Sequence, residues 1–239
     1  MNCVAESKTS GREMGTFYRY YSGELKAPIL TLVIGGNHEA SNYLQELPFG
    51  GWLAPNIYYL GYCGVVDISN DKGQVIQTIG GLSGIYNQHL PNIFYEKRCE
   101  RPPYEEKIIS GGKSVMSVKS VCYVRKKDTR MLESMSTGSI DIVLSHDWPR
   151  GITNYGNEFE LLEFLNYGTL LEEFIENTLG SPPGMEILKK LLPSYWFAGH
   201  LHCDFEANFK GITKFLALDR CLPNSNGRFL EIITLSGVV

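Results

Sequence analysis

The chain has 239 residues, of which 43% are hydrophobic and 12% aromatic, so it can bury a substantial core and is not a disordered protein. Its net charge of −4 argues against nucleic-acid binding through bulk charge, although it leaves room for a local basic patch. We find six cysteines without a Cys-x-x-Cys pair, no signal-peptide pattern and no apolar run of about 18 residues. These features exclude a disulfide scaffold, a zinc ribbon and a membrane span, and they favour an intracellular protein.

Short strands dominate the predicted secondary structure. Runs of β-branched and aromatic residues, bounded by Gly, Pro, Asn or Asp, predict strands at 29–34, 57–60, 65–68, 75–79, 140–144, 195–198, 215–218 and 230–235. Helices are fewer and lie mainly in the C-terminal half. This mixture predicts an α/β fold, in which helices cover sheets, rather than a helical bundle.

Three helices are predicted after residue 156. Asn157 can cap a helix over 158–165, and a second helix over 170–179 has an apolar face. After the break in "NTLGSPPG", Ser181 is a suitable N-cap for a third helix, with Pro182 at a tolerated first-turn position.

Four of the five histidines follow predicted strands, in "LVIGGNHEA" (His38), "DIVLSHDWP" (His146) and "WFAGHLHCD" (His200 and His202). Loops at strand ends are where α/β folds place ligand sites, although a single histidine there is more often structural. His200 and His202 would share one face if their segment is extended. Asn and His are ligands suited to Zn, Fe or Mn, and two-metal sites catalyse phosphoester hydrolysis. His89 is interpreted as a loop residue.

The strings "GNHE", "SHD" and "GHLH", in this order and each after a strand, resemble the motifs of the calcineurin-like metallophosphoesterases. Longer stretches such as "LSHDWPRGI" and "YWFAGHLHCDFEA" are similar to the RNA lariat debranching enzymes of that superfamily, from about Thr16 to Ile233. The resemblance implies a four-layer αββα sandwich. It also implies hydrolysis of the 2′-5′ phosphodiester at the branch point of excised intron lariats, a nuclear step of RNA processing and intron turnover.

The resemblance also implies the roles of individual residues. Asn37, His146 and His200 would ligate one divalent metal and His202 a second, the ions being Fe²⁺, Zn²⁺ or Mn²⁺. His38 would be the general acid that protonates the leaving 2′-oxygen. A positioned imidazolium helps because a 2′-alkoxide is a poor leaving group. Glu39 and Asp147 would either orient a neighbouring histidine or simply cap a turn.

The segment from about 83 to 123 matches the family's lariat recognition loop in position, and "IISGGKSVMSVKS" resembles an insertion in it. Single-stranded RNA is gripped by stacking on aromatic rings and by basic side chains on phosphates. An ordinary solvated loop is the alternative interpretation. The expected partner is branched RNA, with no DNA and no membrane. The candidate RNA-binding residues are Tyr86, Tyr104, Tyr123, Arg125 and Lys126.

The family's first two motifs, a Cys-x-His pair and a Gly-Asp pair that supplies the bridging aspartate, do not occur in this sequence. We therefore expect a metallophosphoesterase domain over 1–233 that lacks its first strands, a tail over 234–239, and a sequence incomplete at both ends. Two other readings remain open. One is a non-catalytic paralogue that binds branched RNA or a partner protein, and the other is a metallophosphoesterase with another substrate.

Overall fold

The computed structural model describes residues 15–88, 107–109, 113–116, 118–164, 169–223 and 227–235. Internal contacts divide the chain into two compact units. The first comprises Met1–Gly64 and Gly81–Arg130, and the second comprises Val65–Gly80 and Met131–Val239. The predicted limits of 1–233 for the domain and 83–123 for its insertion stay a prediction.

The first unit contains a three-stranded sheet in the order β1-β3-β2, formed by β1 (Thr31–Val33), β2 (Gly51–Ala54) and β3 (Ile57–Tyr59). Strand β1 runs parallel to β3, and β2 runs antiparallel to it. The β2–β3 turn has Asn56 at φ 63°, a left-handed conformation that asparagine tolerates well. The first unit also contains helices α1 (Tyr18–Tyr21) and α2 (Ser41–Leu44) and 3₁₀ turns at Gly15–Phe17 and Val118–Cys122.

A six-stranded sheet organises the second unit, in the order β10-β11-β9-β8-β5-β4. Strands β8, β9 and β11 are parallel, while β10 pairs antiparallel with β11. Parallel strands bring their carboxyl ends to one edge of the sheet, so the loops after β8 and β9 meet there. The strands are β4 (Cys63–Ser69), β5 (Val75–Leu82), β8 (Ile142–Ser145), β9 (Tyr195–Ala198), β10 (Phe205–Phe209) and β11 (Thr213–Ala217). A separate antiparallel pair, β6 (Lys107–Ile109) and β7 (Lys113–Met116), lies between β5 and β8 in the chain.

Helix α3 covers Lys126–Ser134, and the second unit adds α4 (Glu158–Phe164), α5 (Thr169–Ile175), α6 (Pro182–Leu191) and a 3₁₀ turn at Ile152–Tyr155. Helix α6 is capped by Ser181, whose Oγ accepts a hydrogen bond from the Gly184 N–H at 3.1 Å. Its apolar face is fully buried, with Ile187, Leu188 and Leu191 at 0% exposure. No helix in the described ranges is long and apolar enough to cross a bilayer.

The predicted α/β class is confirmed, and the mixed sheet with its helices agrees with a metallophosphoesterase-like α/β sandwich. The caps predicted at Asn157 and Ser181 are also confirmed, since the Asn157 side chain accepts from the Phe159 N–H at 3.2 Å. The second predicted helix begins one residue early and ends at Ile175, and residue 165 of the first lies outside the described residues.

All predicted strands except the last are present, β9 with its predicted bounds and the others with shifted ends. The strand predicted over 230–235 is wrong, because residues 227–235 join no sheet. Their position is fixed instead by Arg228, whose guanidinium binds Asp204, Glu206 and Glu231. The sequence analysis also missed β10, although its residues alternate between buried and exposed along the whole strand.

Candidate active site

His146 and His200 lie side by side at one edge of the six-stranded sheet. His146 is the first residue after β8, and His200 follows β9 by two residues. The two strands are paired in parallel, with Leu144 opposite Phe197, so the chain leaves both at the same edge. The ring centroids of the two partly buried imidazoles are 5.0 Å apart and their planes are tilted by 51°. The structure thus brings together two of the four predicted metal ligands.

A chain of buried hydrogen bonds fixes the loop that carries His146. The Trp196 indole N–H donates to the Ser145 hydroxyl at 2.8 Å, and that hydroxyl donates to the Asp147 carbonyl at 2.6 Å. Ser145 and Asp147 flank His146, so this bond closes a tight turn around it. The Asp147 carboxylate accepts from the Trp148 N–H at 2.8 Å, which makes it a local cap of the same turn. Its predicted role in orienting a histidine stays a prediction.

The loop after β9 is not extended. His200 has φ 66° and His202 has φ 56°, both in the left-handed region that few residues other than glycine adopt. The Leu201 N–H donates to the Gly199 carbonyl at 2.8 Å, which closes a γ-turn centred on His200. The expectation that His200 and His202 share the face of an extended segment is therefore wrong, because β9 ends at Ala198 and the chain turns sharply. Such strained backbone concentrates at functional sites.

Cys203 follows His202 directly and is 2% exposed. Burial, with Asp219 and Asp204 adding negative charge, raises the pKa of its thiol to about 12. The thiol is therefore neutral at pH 7.

Asn37 and His38 belong to the first unit and follow β1 in "IGGNHEA". Two bonds hold the backbone of Gly35: its N–H donates to the Ser83 hydroxyl at 3.0 Å, and its carbonyl accepts from the Gly84 N–H at 2.8 Å. The Ser83 hydroxyl in turn donates to the Gly61 carbonyl at 2.6 Å. The segment that precedes Asn37 is therefore anchored, while the His38 side chain is exposed.

Glu39 lies next to His38. Desolvation raises the pKa of its carboxyl group, although the residue keeps exposed surface, while a hydrogen bond from the Gly36 backbone and the charge of His38 lower it. Like Asp147, Glu39 forms a hydrogen bond within its own turn. Its predicted role in orienting a neighbouring histidine stays a prediction.

The donor set only partly fits a metal site. Two facing imidazoles are suitable ligands for a single Zn, Fe or Mn ion. A complete site takes at least three protein ligands, and within the described ranges no group of three or more His, Cys, Asp and Glu side chains could hold an ion.

The predicted RNA-binding residues differ in their exposure. Tyr86 and Tyr123 are half-buried, and Lys126 is exposed at the first residue of α3. Arg125 is 0% exposed, and its guanidinium donates to the carbonyls of Tyr123 and Ser120, both at 2.9 Å. Its guanidinium therefore stabilises the loop before α3 and does not face solvent. Tyr104 and His89 lie outside the described residues.

The sequence analysis missed the side chains that hold the histidine loops, namely Ser83, Ser145, Trp196 and Trp148, whose indole N–H donates to the Gly199 carbonyl. Ser145 and Trp148 stand within two residues of His146 in "SHDWP", which is a signal that could have been followed. Nothing local in the sequence links Ser83 to Gly35, because 48 residues separate them.

No protein-family model matches the chain. It is 47% identical to lariat debranching enzyme A of Xenopus laevis in an alignment of 244 positions that covers 98% of this chain and 41% of that protein. Identity to the lariat debranching enzyme of Homo sapiens is 47%, over 94% of this chain and 39% of the relative. For the Arabidopsis thaliana enzyme the values are 48%, 94% and 49%.

The chain thus spans 39–49% of the length of these relatives. Nearly all of it is homologous to a part of the lariat debranching enzymes, which confirms the resemblance inferred from the longer stretches around its histidine motifs.

Proposed function

We propose that this chain acts in RNA lariat debranching, as a hydrolase of the 2′-5′ phosphodiester at the branch point of intron lariats. The observation that carries the proposal is identity of 45–48% over most of the chain to proteins named for that activity. The substrate is branched RNA, the reaction belongs to intron turnover, and its place is the nucleus.

The proposal assigns Asn37, His146 and His200 to one divalent ion and His202 to a second, the ions being Fe²⁺, Zn²⁺ or Mn²⁺. Support comes from the 5.0 Å approach of the His146 and His200 rings and from the strained backbone at both histidines of the β9 loop. When bound, such ions stabilise charge on the phosphate and activate a water. The loops of His146 and His200 would orient these two ligands, because hydrogen bonds within the protein fix both turns.

His38 is proposed to donate a proton to the leaving 2′-oxygen. Its side chain is exposed, while the backbone two and three residues earlier is buried and the amide of Gly35 is anchored to Ser83. An exposed imidazole on an anchored segment supports this role, and general acid catalysis is typically worth 10²–10⁴-fold in rate.

RNA contacts are proposed for the exposed surface near the start of α3. Lys126 can pair with a phosphate, and Tyr86 and Tyr123 have partly exposed rings on which bases can stack. Arg125 supports this surface from within, since its guanidinium lies 5.9 Å from the Tyr123 ring and binds the neighbouring carbonyls. Tyr104, outside the described residues, keeps its proposed role from its sequence position.

His38→Ala tests the catalytic proposal. We expect cleavage of a synthetic 2′-5′ branched RNA to slow by about 10²–10⁴-fold, while the affinity for the same RNA stays unchanged. The control is Lys210→Ala, an exposed residue in the β10–β11 turn. Cleavage by His38→Ala at the rate of the control would overturn the role of His38.

A further inference from the structure

Trp148 is buried at the point where the two histidine loops meet. It is 1% exposed, with its ring stacked on Phe205 at 5.2 Å and edge-on to Phe215 at 5.3 Å between centroids. These two neighbours lie on β10 and β11, so the indole is held between the sheet and the loop after β8. Packing on both rings leaves it little freedom to rotate.

The polar edge of this indole has one defined partner. Its Nε1–H donates to the Gly199 carbonyl at 2.7 Å, a bond between residues 51 positions apart. In the opposite direction, the Gly199 N–H donates to the His146 carbonyl at 3.2 Å. The peptide groups on both sides of Gly199 are therefore tied to the loop that carries His146.

The Gly199 carbonyl also accepts from the Leu201 N–H at 2.8 Å, which closes the turn centred on His200. This carbonyl and the nitrogen of His200 belong to one rigid peptide plane. Fixing the carbonyl from two sides therefore fixes the plane from which the φ of 66° at His200 is measured. A conformation this uncommon persists only where its surroundings over-determine it.

We propose that Trp148 is a positioning residue for the debranching site, acting through the Gly199 carbonyl to hold the His200 imidazole against that of His146. The inference rests on the proposed function for its purpose, but its geometry does not depend on it. A tryptophan that only filled the core would need no donor at this edge, and phenylalanine could replace it.

Trp148→Phe separates these two cases, because it removes the N–H donor and keeps most of the ring packing. The readout is the nuclear Overhauser effect between the imidazole protons of His146 and His200, in metal-free protein without RNA. The two histidines are assigned with His146→Gln and His200→Gln. We expect the effect to be present in the parent chain and lost in Trp148→Phe, with an unchanged far-ultraviolet circular dichroism spectrum.

Phe209→Leu is the matched control. Phe209 is 0% exposed on the same sheet, and its partner Thr213 lies at the end of the β10–β11 pair away from Ala217. The control should keep the Overhauser effect. If Trp148→Phe does not fold, β-(3-benzothienyl)alanine at position 148 replaces the N–H by sulfur in a ring of similar size, and the same loss is expected.

An Overhauser effect of parental intensity in the folded Trp148→Phe or benzothienyl variant would overturn the positioning role. Because this readout needs neither metal nor substrate, it does not depend on cleavage. A parent chain that shows the paired histidines but leaves branched RNA intact would refute the proposed function and leave the role of Trp148 as a structural fact.

Discussion

Ser83→Ala is the substitution by which the anchoring of the Asn37–His38 segment can be measured. Ser83 is 5% exposed, and its hydroxyl joins the Gly35 N–H to the Gly61 carbonyl with bonds of 3.0 and 2.6 Å. Alanine removes the hydroxyl and leaves one buried donor and one buried acceptor without this partner. The first of these belongs to the residue two positions before Asn37.

The expected cost follows from these two groups. A buried backbone group that loses its hydrogen-bond partner costs about 1–3 kcal/mol of stability, so losing the partners of the Gly35 N–H and the Gly61 carbonyl together would cost about 2–6 kcal/mol. A cavity of about 20 Å³ lined by Gly35, Ser83 and Gly84 adjoins the site. A cavity larger than about 15 Å³ can admit one water, which would recover part of the loss. We therefore expect Ser83→Ala to lower the free energy of unfolding by about 2–4 kcal/mol.

Urea denaturation measures this change, and amide hydrogen exchange at Gly35 locates it. The control is Ser22→Ala, because Ser22 is exposed and its hydroxyl donates to the Arg19 carbonyl at 3.3 Å. Removing that exposed bond should change the free energy of unfolding by less than about 0.5 kcal/mol. The reasoning is refuted if Ser83→Ala costs no more than Ser22→Ala and the Gly35 amide exchanges at its original rate.

Three further predictions concern stability. Gly84→Ala should lower the free energy of unfolding, measured by thermal denaturation, by more than about 3 kcal/mol, because φ is 89° and the new Cβ would lie 1.9 Å from the Cys122 carbonyl oxygen. Gly23→Ala is the control, with φ 79° and open space around the new Cβ, and should cost about 1 kcal/mol. Equal costs for the two variants would contradict the steric clash at Gly84. Arg125→Leu should lower the free energy of unfolding by about 1–3 kcal/mol, because the Tyr123 carbonyl loses this buried donor while the Ser120 carbonyl keeps the Tyr123 N–H. Lys126→Leu, at an exposed position, should cost less than about 0.5 kcal/mol, and an equally small cost for both variants would show that Arg125 does not stabilise this loop. Arg228→Ala should speed amide exchange over 227–235 and lower the free energy of unfolding by about 1 kcal/mol, and the difference from the parent chain should shrink with added salt. Amide exchange over 227–235 at the parental rate would show that the three ion pairs of Arg228 do not hold this segment.

How far the sequence predicts the structure differs between strands and turns. Strand β9 was predicted with its observed bounds, because "YWFA" is a short aromatic run between polar breaks. Placing His146 and His200 at strand ends followed from the same patterns. The γ-turn at His200 could not be predicted, since periodicity describes which face a residue takes and carries no information on a positive φ.

Charge and distance along the chain explain the other differences. Arg125 is predicted as an RNA contact because basic side chains bind phosphates, yet it is 0% exposed and its guanidinium donates to two backbone carbonyls instead. The hydrogen bond from the Trp148 indole to the Gly199 carbonyl joins residues 51 positions apart, and it can form only once β8 and β9 are paired. Local patterns therefore located the candidate residues, and tertiary packing decided how they are held.

Hydrolysis of the branch-point bond of lariat RNA is the activity proposed for this chain. Its most direct test incubates the purified chain, supplied with Mn²⁺, Fe²⁺ or Zn²⁺, with a synthetic 2′-5′ branched RNA and a linear 3′-5′ RNA of the same sequence. Bound metal is measured in the same samples by mass spectrometry. We predict that the branched RNA becomes linear while the 3′-5′ control stays intact. A chain that binds metal and branched RNA but leaves the 2′-5′ bond uncut would contradict the proposal.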